Sequence, residues 1–229
     1  MKYETNFMIT EHHIYQSNRV ENITLPYLVY LPDDYNKNLK DSYPLVLFLH
    51  GAGERGRDLE LIKKHGIPKR INEGKEFPFI TVAPQCPLSG WWNFDEYIFS
   101  IVNMIDTISK RYRVDQKKIY GTGLSMGGFG ILSLAISYPN YFSAIIPICG
   151  GADINKLRKL NNLPIWLFHG KKDDIYPPES SILIYKMLQN HNPNIKLTIY
   201  DDLGHDSWTK TYENDELYKW LLKFTRNPL

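Results

Sequence analysis

Lys118-Ile119-Tyr120-Gly121, followed by Thr122-Gly123-Leu124-Ser125-Met126-Gly127-Gly128 and then by the run from Phe129 to Tyr138, is the stretch on which the fold turns. The first four residues read as a short strand. The last ten are helix-length and apolar, and they stop before Pro139, which cannot continue a helix. Between them Gly123-Leu124-Ser125-Met126-Gly127 matches G-x-S-x-G, a sharp strand–turn–helix connection with a serine at its tip. Glycines flank that serine because a side chain there would collide with the neighbouring strand or helix. The turn would hold the Ser125 hydroxyl at the carboxyl end of a sheet, where ligands bind in open α/β folds. It would also put it at a helix N-terminus, whose partial positive charge favours a developing oxyanion. Alone, such a turn is equally a glycine-rich connection with a helix-capping serine, so the partners decide.

Outward from this turn, short β-rich runs alternate with helical patterns. Leu45-Val46-Leu47-Phe48-Leu49, Phe79-Ile80-Thr81-Val82-Ala83, Ala144-Ile145-Ile146-Pro147-Ile148 and Ile165-Trp166-Leu167-Phe168 are the apolar runs of parallel strands buried on both faces. Lys196 to Tyr200 completes the series. Tyr97, Ile98, Ile101, Val102, Ile105, Ile108 and Tyr112 fall on one helical stripe, and Leu217, Trp220, Leu221 and Phe224 follow the i, i+3, i+4, i+7 spacing of another. Strands alternating with helices imply a mostly parallel sheet covered on both faces. Phe7 to Tyr15 and Leu25 to Leu31 lack a helix between them and predict an antiparallel edge. No repeat or linker interrupts the chain, so residues 1–229 are expected to form a single domain. Ala152 to Asn162 are too few for a separate lid, which predicts an open site.

The 229 residues are 43% hydrophobic and 23% charged, an ordinary globular composition. A net charge of +2 with no long run of like charges argues against a nucleic-acid partner. No apolar run reaches the roughly 18 residues of a membrane span. Met1 to Asn6 lack the apolar core of a signal peptide. Cys86 and Cys149 are too few for a disulfide framework. A soluble, cytoplasmic protein is expected.

A serine hydroxyl needs a neighbouring base. In this arrangement the nucleophile is followed along the chain by an acid and then a histidine. Of seven histidines only His191 and His205 come late enough. His191 sits in a polar turn, whereas His205, in Gly204-His205-Asp206-Ser207-Trp208, follows the last strand. The acid belongs to a loop after an intervening strand. His169-Gly170-Lys171-Lys172-Asp173-Asp174-Ile175-Tyr176-Pro177 offers Asp173 and Asp174, which spacing does not separate, with Asp153 as the outside choice. Asp201 and Asp202 read as turn acids. For the oxyanion, Met126 supplies one N–H. The loop His50-Gly51-Ala52-Gly53-Glu54-Arg55-Gly56 supplies the other, from Ala52 or else Gly51, with His50 as a brace.

The segments at 50–56, 121–128, 169–173 and 204–208 together resemble the carboxylesterase, feruloyl-esterase and predicted-peptidase branch of the α/β-hydrolases. The resemblance implies a three-layer fold with a mostly parallel central sheet of about eight strands, without cofactor or metal. It favours Asp173 as the acid, four residues after the His of the His-Gly pair and shortly before Pro177. Tyr176 departs from the small aliphatic residue usual before that proline. The implied activity is ester hydrolysis of small or medium acyl esters, aromatic or sugar-linked, with a peptidase or a non-catalytic binding module as the rival readings. Trp91, Trp92 and Trp208 are candidates for holding a ring or sugar face, with core packing the competing role for one of the Trp91–Trp92 pair. Glu54 and Arg55 would either bind a polar substrate group or brace their loop as an ion pair.

Overall fold

The computed structural model describes residues 9–17, 23–37 and 39–226. Within these residues eight strands form one sheet: β1 (Ile9–Gln16), β2 (Thr24–Leu31), β3 (Tyr43–Leu49), β4 (Ile80–Pro84), β5 (Val114–Leu124), β6 (Ala144–Ile148), β7 (Ile165–Gly170) and β8 (Ile195–Tyr200). Their spatial order is β1-β2-β4-β3-β5-β6-β7-β8. β2 runs antiparallel to both β1 and β4, and every other pairing is parallel. The sheet is thus mostly parallel with an antiparallel edge, as the sequence predicts. Phe7 and Met8, the start of the predicted first strand, lie outside the described residues, as do the six before them.

Among the described residues six α-helices cover the sheet: α1 (Gly66–Asn72), α2 (Asp95–Arg111), α3 (Met126–Ser137), α4 (Glu179–Leu188), α5 (Trp208–Glu213) and α6 (Asp215–Leu221). Period-two alternation along the central strands splits the core in two. Leu45, Leu47 and Leu49 of β3 join Ile101 and Ile105 of α2, Ile131 of α3 and Ile184 of α4 on one face. Val46 and Phe48 join Ile67 of α1, Tyr212 of α5 and Leu221 of α6 on the other. Helix α2 carries Asp95 and Glu96 in its first turn and Lys110 and Arg111 in its last, the charge order its dipole favours. This is the three-layer α/β-hydrolase architecture.

Most boundaries shift by one to three residues from the sequence reading, and two of the differences have a clear tertiary cause. β5 starts at Val114 rather than Lys118, because backbone pairing with Tyr43 of β3 carries the strand through polar residues that lack apolar patterning. α6 stops at Leu221, so Phe224 packs on Trp220 from beyond the helix, with ring centroids 4.9 Å apart. Residues 152–162 hold a 3-10 helix, Ile154–Leu160, anchored by buried Leu157 and Leu160 instead of a lid. Among the described residues no helix is long and apolar enough to cross a membrane.

Candidate active site

Ser125 stands between β5 and α3 with φ 53° and ψ −118°, a backbone conformation that non-glycine residues rarely adopt. Such a residue persists only where its surroundings over-determine it. Here the Ser125 N–H donates to the Ile148 carbonyl at 2.9 Å. Two residues on, a Cβ at Gly127 would lie 2.0 Å from the Leu49 carbonyl oxygen, so only glycine lets the start of α3 cross the end of β3. The result is a half-buried serine hydroxyl raised above the carboxyl edge of the sheet.

β8 ends at Tyr200, and the following turn brings His205 over that hydroxyl. His205 Nε2 lies 2.9 Å from Ser125 Oγ, and Nδ1 lies 2.7 Å from Asp173 Oδ2. A carboxylate only accepts, so the network assigns the proton to Nδ1 and leaves Nε2 to accept from the hydroxyl. Asp173 sits three residues past β7 with its side chain enclosed. Its Oδ1 accepts from the N–H groups of Ile175 (3.0 Å) and Tyr176 (2.9 Å), a local turn that aims the other oxygen at the imidazole. Burial pushes this carboxyl up, but the bonds from His205 and from the Tyr176 and Ile175 amides outweigh it and hold the group below the usual carboxylate range.

The other candidates of the sequence lie elsewhere. Asp174 and His191 are exposed. Asp153 accepts from the Asn155 N–H at the start of a 3-10 helix, Asp201 pairs with Lys171 at 2.8 Å, and Asp202 lies 3.6 Å from Lys210.

Met126 is the first residue of α3, and Ala52 is the first of a 3-10 helix, Ala52–Glu54. Leading N–H groups of helices have no intrahelical acceptor. The two elements abut, since a Cβ at Gly51 would come 3.7 Å from Ser125 Cβ and 2.9 Å from Leu124 Cδ1. His50 braces this loop. Its Nε2 accepts from the Cys86 N–H at 2.9 Å, which leaves Nδ1–H to donate to the Gly51 carbonyl at 2.6 Å. Burial pushes its imidazole down to about 4, so it is neutral at physiological pH.

Two of the expected substrate contacts are corrected. Trp92 is fully buried: its Nε1–H donates to the His50 carbonyl and its Cβ packs over Gly130, so it belongs to the core and not to a pocket wall. Glu54 is buried under its loop with Oε2 enclosed and Oε1 3.7 Å from His65 Nε2. Nor does it pair with Arg55, whose guanidinium donates instead to the carbonyls of Ala52, Leu88 and Gly90. Trp91 stays half-buried at the surface under that guanidinium, 5.2 Å from its ring centroid. Trp208 meets His205 edge-on at 5.3 Å and donates to His65 Nδ1 at 3.3 Å. Tyr176 lies 6.3 Å from the His205 ring and pairs with Phe129 at 4.7 Å. The contributions of His65, Phe129 and His169 carry no motif of their own; only the His-Gly pair before the acid marks the last.

Cys149 Sγ, a carboxylate oxygen of Asp173 and a ring nitrogen of His205 lie within 4.8 Å of one another. Burial pushes the Cys149 thiol well above its ordinary value, while the carboxylate and imidazole are already bonded to each other. That donor set fits a hydrogen-bonded relay better than a metal centre, because a thiol must lose its proton to ligate.

The family model described as phospholipase/carboxylesterase matches residues 67–220. The bifunctional acetylxylan esterase/xylanase XynS20E of Neocallimastix patriciarum is 26% identical over 199 residues, covering 84% of this chain and 27% of that protein. Feruloyl esterase D of Neurospora crassa is 31% identical over 134 residues, 54% of this chain and 44% of its own. The chain therefore spans less than half the length of these two curated relatives. A crystal structure of a thermostable esterase superposes with a TM-score of 0.85 at 31% identity, over 95% of this chain and 63% of that one. With the matched segment reaching from α1 to α6, the chain belongs to the phospholipase/carboxylesterase family of α/β-hydrolases.

Proposed function

We propose that the chain is a serine carboxylic-ester hydrolase that works through an acyl-enzyme. The observation that carries this reading is one imidazole bridging a hydroxyl at 2.9 Å and an enclosed carboxylate at 2.7 Å. His205 Nε2 takes the Ser125 proton as Oγ bonds to the ester carbon. Asp173 holds the imidazole and stabilises it while charged, and the N–H groups of Met126 and Ala52 meet the oxyanion. The carbon–oxygen bond to the alcohol then breaks, with His205 returning its proton to the leaving oxygen. Water, deprotonated by His205, adds to the acyl carbon, and the acid departs as Oγ regains the proton.

Small or medium acyl esters, aromatic or sugar-linked, are the substrate class we assign. The half-buried aromatics Trp91, Trp208 and Tyr176 and the acetylxylan and feruloyl esterases among the relatives support it. Two free, buried thiols suit a reducing compartment, so we place the protein in the cytoplasm. A fluorophosphonate probe should label wild-type protein at Ser125 and leave Ser125→Ala unlabelled. A panel of p-nitrophenyl, feruloyl, acetyl-sugar and peptide substrates should then give turnover on esters and little on peptides. Folded protein that fails to label would favour a binding module, and faster peptide cleavage would favour an amidase.

A further inference from the structure

Asp173 is held by two imidazoles, not one. His169, at the end of β7, is fully buried, and its Nε2 lies 3.1 Å from Asp173 Oδ2, the same oxygen that His205 uses. The same nitrogen lies 2.7 Å from the Tyr176 carbonyl, and both neighbours are acceptors, so Nε2 carries the proton and divides it between them. Nδ1 is then the acceptor for the Ser181 hydroxyl of α4 at 2.8 Å. Oδ1 is taken up by two backbone amides, which leaves Oδ2 to be shared between the two rings.

We propose that His169 is a positioning residue for ester hydrolysis: it pins the Asp173 carboxylate and the turn that carries it, and withdraws part of the charge that Asp173 offers to His205. The proposal rests on the serine-hydrolase reading above. A second N–H on Oδ2 weakens that oxygen as an acceptor for the base. Removing it leaves more negative charge facing His205, favours the imidazolium and moves the acid limb of activity to higher pH. Other titratable groups facing the pair are Cys149 just past β6, Tyr176 from the acid loop and Asp206 beside the base. His65 connects to the base by way of Trp208 and to Glu54 in turn, and Lys172 and Asp174 flank Asp173 from exposed positions.

The test is the pH profile of kcat and kcat/KM for a p-nitrophenyl ester. His169→Phe should lower kcat roughly 10- to 100-fold, by analogy with the loss of an outer hydrogen-bond partner of a metal-ligating side chain. KM should be little changed and the acid limb should rise. His169→Gln, whose amide N–H stands where Nε2–H stood, should restore most of the rate and return the limb. An unmoved limb in His169→Phe, or a His169→Gln no better than it, would overturn the proposal in favour of packing alone. If His169→Phe does not fold, Ser181→Ala removes the hydroxyl that donates to Nδ1 and so weakens Nε2–H as a donor to Asp173, and it should move the limb the same way by less; no movement overturns the proposal equally. Fluorophosphonate labelling of the wild type separates the two failures. Without labelling the serine-hydrolase reading falls, and with labelling but an unmoved limb only the role of His169 does.

Discussion

At the scale of single residues, the site concentrates strain and polar burial where chemistry requires them. Ser125 is held at positive φ, Asp173 is enclosed, and His205 keeps 19% of its side chain open. Ser125→Ala and His205→Ala should each lose roughly 10⁴- to 10⁶-fold in kcat, with Asp173→Asn somewhat less severe. Asp174→Asn, at an exposed position, should cost little. Equal losses from the two aspartate variants, measured on one ester, would undo the choice of acid. His50 yields a different prediction. Its imidazole is pushed down to about 4 when folded, against 6.5 when free. Between those values the unfolded chain binds a proton that the folded chain refuses, so stability is complete above about pH 6.5 and drains away toward pH 4. The loss is on the order of 3 kcal/mol. Denaturant midpoints taken from pH 7 to pH 4.5 should fall less steeply for His50→Gln than for the wild type, and parallel slopes would refute the assignment.

At the scale of elements, the segment joining β4 to α2 shows how adjacent residues acquire opposite jobs. Trp91 and Trp92 are indistinguishable as a pair of tryptophans. The turn sends Trp92 under the sheet edge, against His50 and Tyr97, and leaves Trp91 outside beneath Arg55. Trp92→Ala should therefore destabilise the fold by about 3–5 kcal/mol, as truncation of a buried aromatic does. Trp91→Ala should leave stability nearly unchanged and raise KM for aromatic or sugar-linked esters. Chemical denaturation and steady-state kinetics on both variants check this, and the reverse pattern would exchange their roles.

At the scale of the whole molecule, the two cores share one sheet, so neither helical layer has a face to bury without it. The five tryptophans sample both: Trp92 lies in one core with Trp91 packed against it, while Trp166, Trp208 and Trp220 belong to the other side. Thermal unfolding followed by tryptophan fluorescence and by far-UV circular dichroism should accordingly coincide, and separated midpoints would show that the chain is not one cooperative unit. The strand–turn–helix around Ser125, the apolar central strands and the antiparallel edge are written in local pattern and turn chemistry, so the sequence by itself determined the fold class and the serine at its edge. Polar stretches such as Val114 to Lys117 hid a strand that only its neighbour completes. Spacing left Asp173 and Asp174 open and only the family resemblance favoured the first; tertiary structure placed its carboxylate on His205, decided whether Trp92 and Glu54 are walls or core, and alone supplied Asp173 with a second imidazole. The reason is distance along the chain: the contacts of His205 join residues 80 and 32 positions apart, and strand order with the crossing helices, not any nearby pattern, sets which side chains meet there.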